Sequence, residues 1–116
     1  MICNFARFKR LVTKRDYNFV FKSATKTVTT DFIVLHKKNG LSQARLGLAI
    51  SKKVLPKAVQ RNRIKRILRE SFRTRNKLPP IDLVFLAKHN IASQDNSSIF
   101  KGLTILWDKI DALYLR

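Results

Sequence analysis

The residues best suited to chemistry lie in one basic stretch, between residues 52 and 75. Ten of these residues are Lys or Arg, and Glu70 is the only acid among them. On a helix that turns about 100° per residue, residues 57–73 separate into two arcs. The apolar arc consists of Ile64, Ile67, Leu68 and Phe72, with Ser71 among them. The opposite, cation-rich arc consists of Asn62, Arg63, Lys65, Arg66, Arg69 and Arg73. The stretch predicts an amphipathic helix with one face on a core and the other in solvent.

Two interpretations of the cation-rich arc compete, a solvated surface and a surface that binds a polyanion. Arg61 and Lys65, Lys65 and Arg69, and Arg69 and Arg73 are like-charged pairs four residues apart. Each such pair destabilises an isolated helix by about 0.2–0.5 kcal/mol. Phosphate groups would relieve this repulsion, and a guanidinium can donate two parallel hydrogen bonds to phosphate. The pattern therefore favours a helix that binds nucleic acid.

The acidic residues are few and dispersed, and they do not resemble a nuclease centre. A protein nuclease needs carboxylates or histidines that hold metals or move protons. The acids are Asp16, Asp31, Glu70, Asp82, Asp95, Asp108 and Asp111. Asp108 and Asp111 are three residues apart, which favours ordinary exposed acids over a metal pair. His36 and His89 are isolated and are interpreted as residues at strand ends. We expect no catalytic residue and no protein-held metal in this chain.

Composition and charge limit the class of molecule that the chain can bind. The 116 residues suggest one domain, 1–116, with residues 1–12 as a flexible segment. The net charge is +18 and the sequence pI is about 11.1, so the chain should attract polyanions. Nucleic acid is the first candidate and an anionic membrane the second, although no stretch approaches the roughly 20 apolar residues of a membrane span. Cys3 is the only cysteine, which fits a reducing compartment such as the cytoplasm.

A first helix is predicted to follow an N-cap at Thr13 and to end near residue 24. Tyr17, Val20 and Phe21 are predicted to share its inner face, with Phe19 roughly opposite. Tyr17 and Phe21 could be core residues, or they could border a groove and stack on bases. Composition alone favours the core.

Strands are predicted at residues 32–37, 44–51 and 81–88, whereas residues 25–30 are read as a loop or the start of a strand. The second strand has Leu46, Leu48 and Ile50 on one face and Gly47, Ala49 and Ser51 on the other. The small residues leave room for a close helix or for an extended ligand. The third strand is apolar on both faces and should be central. A polar loop (89–98) and a last helix (98–114) complete the chain.

This order of elements predicts an α+β fold, a single-domain two-layer sandwich in which helices pack on a small mixed sheet. The strand–helix–strand segment 44–88 would ordinarily cross over with a right hand.

A family resemblance begins at the signature Arg61-Asn62-Arg63-Ile64-Lys65-Arg66. It resembles the bacterial ribonuclease P protein subunit, and segments 16–21, 45–48, 51–53, 69–73 and 82–88 are also similar to that family. The resemblance implies a fold like the second domain of ribosomal protein S5, with a left-handed β-α-β crossover. Two departures stand out. Leu55-Pro56-Lys57 is one residue longer than the Gly-Asn of many members, and Tyr17 stands where Phe is usual.

The resemblance also implies a function. The RNA subunit of ribonuclease P would be the catalyst, using bound Mg²⁺, and the protein would help it remove the 5′ leader of precursor tRNA. The signature residues that would face the RNA are Arg61, Asn62, Arg63, Lys65, Arg66 and Arg69. A cleft for the leader would be formed by Tyr17, Phe21, Lys52, Lys53 and Lys88. No membrane and no obligate protein partner are expected. The alternatives are a ribosomal or nucleoid-type binding protein and an autonomous nuclease.

Overall fold

One four-stranded sheet positions the rest of the chain in this computed structural model, which describes residues 14–75 and 78–114, with side chains from Tyr17 onward. The strands are β1 (Thr25–Val28), β2 (Phe32–Lys38), β3 (Arg45–Leu48) and β4 (Ile81–Ala87), and they lie in the order β1-β2-β4-β3. The β3–β4 pair is parallel, and the other two pairs are antiparallel. The mixed sheet of the predicted α+β fold is confirmed.

The helices are α1 (Lys14–Ser23), α2 (Ala58–Thr74) and α3 (Asn96–Tyr114), and a short 3₁₀ helix (His89–Ser93) follows β4. No helix in the described ranges is long and apolar enough to cross a membrane. The predicted flexible segment 1–12 and the predicted N-cap Thr13 lie outside the described residues.

The elements differ from the predicted ones at three points. Residues 25–28 form a full strand, because β1 pairs with residues 33–36 of β2 along its whole length. The predicted strand 44–51 ends at Leu48, and the chain then turns, with the Leu55 amide donating to the Ser51 carbonyl. The predicted loop 89–98 contains the 3₁₀ helix and the first turn of α3.

The central strand β4 separates two apolar clusters. Leu83 and Phe85 face the main core, where α2 and α3 cover the sheet. Val84 faces the other way and packs against Val20 of α1. The prediction that this strand is central is confirmed, because it lies between β2 and β3. It follows that α1 and α2 lie on opposite faces of the sheet.

Buried polar groups in the core are paired. The indole Nε1 of Trp107 donates to Ser71 Oγ at 2.7 Å, which joins α3 to α2. Asp82 is fully buried, and its carboxylate accepts from Arg45 Nε at 2.9 Å, from Arg45 Nη2 at 2.7 Å and from Asn39 Nδ2 at 2.9 Å. These hydrogen bonds offset the cost of burying charge at the start of β4.

The prediction that His36 lies at a strand end was wrong. It lies inside β2 and is only 1% exposed. Its Nε2 is 2.8 Å from Thr27 Oγ1, and its Nδ1 is 2.7 Å from Tyr114 Oη. Burial lowers the pKa of His36 below its ordinary value, because the charged imidazolium loses hydration. The imidazole therefore joins β1, β2 and the end of α3.

Candidate nucleic-acid interface

The basic helix α2 begins without a capping side chain at Lys57, and Arg61 stabilises this end instead. The Arg61 guanidinium donates to the carbonyl oxygens of Leu55 and Pro56, each at 2.8 Å. Leu55 is also buried in the main core, so the loop before α2 is held both by Arg61 and by the core. Arg61 is therefore directed back at the loop that leads into α2.

Arg63 is also engaged within the protein. Its Nη1 donates to Asn96 Oδ1 at 2.7 Å and to the Gln94 carbonyl at 3.2 Å, and its Nε donates to Gln60 Oε1 at 3.2 Å. Gln94 and Asn96 precede and begin α3. Arg63 thus fixes α2 against the start of α3. The periodicity of the helix alone could not indicate this contact.

An outward stripe of α2 is formed by Asn62, Arg66, Arg69 and Arg73. Together with Glu70, these residues line an open groove of about 440 Å³. Arg73 pairs with Glu70, and this hydrogen bond lowers the pKa of the Glu70 carboxyl. Arg66 and Arg69 are exposed and have no hydrogen bond or ion pair with any described residue. The outward stripe therefore presents two uncompensated guanidinium groups.

The structure divides the six predicted signature residues. Asn62, Arg66 and Arg69 lie on the outward stripe, and Lys65 is half-buried along one flank of α2. The other two, Arg61 and Arg63, hold protein groups. Arg73 lies on the groove although it was absent from the predicted signature set, and its position on the cation-rich arc was the signal for it.

The predicted aromatic pair of α1 lies beside β3. Tyr17 is half-buried, and its hydroxyl accepts a hydrogen bond from the Leu48 amide at 3.2 Å. The Phe21 ring stacks on it, with centroids 6.4 Å apart and an interplanar angle of 27°. Phe21 is 48% exposed, so its placement on the inner face of α1 was wrong. Tyr17 supports the fold, whereas Phe21 offers a ring to solvent.

The three predicted cleft lysines follow the ends of β3 and β4. Because these strands are parallel, with Leu48 opposite Phe85, their carboxyl ends meet at one edge of the sheet. Lys52 and Lys53 are exposed in the turn after β3, and Lys88 is half-buried directly after β4. Tyr17 contacts β3 at this same end. We call this set of residues (Tyr17, Phe21, Lys52, Lys53 and Lys88) the α1–β3 surface. Of the predicted small-residue face, Gly47 lies in β3, whereas Ala49 follows the strand and packs with Tyr17 against the cluster of Val20 and Val84.

Asp95, Asp108 and Asp111 each bond to a neighbouring group of the fold. Arg75 donates to Asp108 Oδ1 at 2.7 Å and to Asp111 Oδ2 at 2.6 Å, which joins the end of α2 to α3. Both hydrogen bonds raise the pKa of Arg75. Asp95 accepts from the Ser98 amide at 2.7 Å, and this bond lowers the pKa of its carboxyl. Within residues 14–75 and 78–114, no group of three His, Cys, Asp or Glu residues could hold a metal ion.

The fold and its exposed cations define a small basic α+β domain suited to binding a polyanion. The particular family follows from comparison with known proteins. A model of the ribonuclease P family matches residues 5–111. The chain is 49% identical over 110 residues to the ribonuclease P protein component of Legionella pneumophila (strain Lens), which covers 95% of this chain and 96% of the relative.

Solved structures agree. The Staphylococcus aureus RNase P protein superposes with a TM-score of 0.81 at 25% identity, covering 89% of this chain and 97% of that one. The Thermotoga maritima protein gives a TM-score of 0.78 at 30% identity, covering 87% and 96%. The chain belongs to the ribonuclease P protein family and is a component of that ribonucleoprotein endoribonuclease. The predicted family is confirmed, and the comparisons do not support a ribosomal or nucleoid protein.

Proposed function

We propose that the chain binds the ribonuclease P RNA through the outward stripe of α2 and the 5′ leader of precursor tRNA through the α1–β3 surface. The protein thereby assists the endonucleolytic removal of the leader, while the RNA subunit carries the catalysis. The observation that carries this proposal is the pair of exposed guanidinium groups at Arg66 and Arg69, which have no hydrogen bond or ion pair with any described residue, in a chain of this family.

Contact with the RNA subunit is expected to be mainly between arginines and the phosphates of the RNA backbone. Side chains cannot easily read the base edges of an RNA duplex, so a helix such as α2 is expected to recognise backbone and shape. Arg66 and Arg69 are three residues apart and repel each other in the free protein. Phosphates lying along the outward stripe would convert this repulsion into charge-assisted hydrogen bonds.

Two internal arginines position the outward stripe. Arg61 fixes the loop before α2, and Arg63 fixes the flank of α2 against the start of α3. Their substitution would move Arg66 and Arg69 relative to the sheet. Loss of RNA binding would then follow from misplacement, without direct contact between these two residues and RNA.

The leader is a single strand with unpaired bases and a phosphate at every nucleotide. Stacking of a base on an aromatic side chain contributes about 1–3 kcal/mol and tolerates any sequence. Phe21 offers such a ring, and it stacks on Tyr17, whose hydroxyl bonds to the last residue of β3, four residues before Lys52. Each lysine–phosphate contact on a single strand should add about −0.7 to the slope of log affinity against log salt.

The assignment of catalysis to the RNA is supported by how the acids are used. Glu70 is the only carboxylate among the described residues that line the groove of α2, and it is paired with Arg73. The surrounding arginines oppose a divalent cation, so these residues do not fit a Mg²⁺ site. Mg²⁺ is therefore assigned to the RNA subunit, and no step of the reaction is routed through the protein.

Cleavage of precursor tRNA by a bacterial ribonuclease P RNA at low magnesium, with and without the protein, tests this proposal. We expect the protein to stimulate cleavage at the leader junction and to cut nothing by itself. Cutting by the protein alone would support the autonomous nuclease. Absence of stimulation across a range of salt and magnesium would refute the proposed role.

A further inference from the structure

The opposite flank of α1 carries a second aromatic–cation pair that the α1–β3 surface does not use. The Phe19 side chain is 41% exposed. Lys37 Nζ, from β2, lies 3.8 Å from the centroid of its ring. The same ammonium donates to Ser23 Oγ at 2.6 Å and to the Phe19 carbonyl at 3.3 Å. A lysine on the surface is ordinarily mobile, but this one is held over an exposed ring by three contacts.

The outer strand extends this surface. Directly opposed residues of an antiparallel pair point to the same face, and Lys26 opposes Leu35 while Val28 opposes Ile33. Leu35 packs in the cluster beneath α1, so Lys26 and Val28 lie on the α1 side of the sheet. Lys26 is exposed, and Val28 is 51% exposed. We call Phe19, Lys26, Val28 and Lys37 the Phe19 surface.

The charge of the Phe19 surface suits a polyanion. The described titratable side chains of β1 and β2 that point to the α1 side are Lys26 and Lys37. Asp82 opposes Lys37 in the register of β2 and β4, but it is fully buried and bonded to Arg45 and Asn39. Its charge is therefore compensated beneath the surface and does not repel an approaching phosphate.

We propose that the Phe19 surface binds single-stranded RNA, namely leader nucleotides upstream of those on the α1–β3 surface. This inference rests on the proposed function. A ring beside a fixed cation is the arrangement by which proteins hold unpaired bases and their phosphates. Phe19 and Phe21 lie on two flanks of one helix, about 10 Å wide with its side chains, so one strand can reach both. The ribonuclease P RNA is assigned to α2, which covers the other face of the sheet, and this favours the leader as the occupant.

The test measures affinity of the holoenzyme for two precursors and for mature tRNA. One precursor has a leader just long enough for the α1–β3 surface, and the other has several more unpaired nucleotides. Phe19→Ala should weaken binding of the long-leader precursor by about fivefold or more and leave the other two ligands unchanged. Leu41→Ala, which removes an apolar side chain of similar exposure outside both surfaces, is the matched control.

A second variant covers the case in which Phe19→Ala does not fold, as judged by circular dichroism. Lys26→Gln changes an exposed side chain and should lower the salt slope by about 0.7 for the long leader only. If a variant affects binding of both leaders equally, or of neither, the proposal is refuted, and Lys37 then only packs on the Phe19 ring. Failure of the proposed function is distinguishable, because the unmodified protein would then stimulate cleavage of neither precursor.

Discussion

The contrast between Arg63 and the pair Arg66 and Arg69 gives the sharpest prediction. All are arginines of one helix, yet Arg63 bonds to residues near the start of α3, whereas Arg66 and Arg69 bond to no residue that the structure describes. Arg63→Ala removes two hydrogen bonds to the start of α3, at about 0.5–1.5 kcal/mol each. We expect the free energy of unfolding to fall by about 1–3 kcal/mol, with a drop in Tm of about 4 °C per kcal/mol for a domain of this size.

The double variant Arg66→Ala/Arg69→Ala should behave in the opposite way. Its free energy of unfolding should change by no more than about 0.5 kcal/mol, because both side chains are exposed and bond to none of the described residues. Its affinity for the ribonuclease P RNA should fall steeply at low salt. Loss of two phosphate contacts should also flatten the log–log salt dependence by roughly 1.4–1.8.

Thermal unfolding and a salt titration of RNA binding measure both effects. Lys101→Ala/Lys109→Ala, which removes two exposed cations from α3, controls for the change in net charge. An unchanged salt slope in the Arg66→Ala/Arg69→Ala variant would refute the role of the outward stripe. A loss of stability equal to that of Arg63→Ala would refute the division of α2 into positioning and binding residues.

Three further predictions concern single sites. Ser71→Ala should lower the free energy of unfolding by about 1–3 kcal/mol, because the buried indole N–H of Trp107 loses its acceptor. Denaturant unfolding measures this, and an unchanged midpoint would contradict it. Burial lowers the pKa of His36 from 6.5, so the unfolded chain takes up the proton first and stability should fall as the pH drops below about 6.5. His36→Gln should flatten that pH dependence, and an equally steep profile would assign it to another group. Phe21→Ala should weaken binding of leader-bearing precursor more than of mature tRNA, and equal losses would remove it from leader binding.

The elements predicted most accurately were those with long or two-sided apolar patterns. The arcs of α2 and the two apolar faces of β4 left few alternatives, and β4 ends within one residue of its predicted end. Strand β1 was not identified because it has four residues, of which only Val28 is apolar. Its stability comes from pairing with β2, which no local pattern reports.

The contacts and exposure of side chains in the candidate site could not be predicted from the sequence. Periodicity put Arg63 on the outer arc, but its partners Gln94 and Asn96 lie more than 30 residues away along the chain. Phe21 was expected to be inside because it follows Tyr17 by one turn. In the structure Val20 packs against Val84, and the Phe21 ring lies outside that cluster and is 48% exposed. Both outcomes depend on packing between distant elements.

The Tyr17 hydroxyl has a consequence for how copies of this chain can associate. Alternate amides of a parallel strand point to opposite sides. The Ala49 amide donates to Phe85 in β4, so the Leu48 amide points to the free edge of the sheet, where Tyr17 accepts from it. An unpaired strand edge is a template for adding a strand from another molecule. Tyr17 occupies this donor, so the end of β3 offers one fewer free amide to a strand from another molecule.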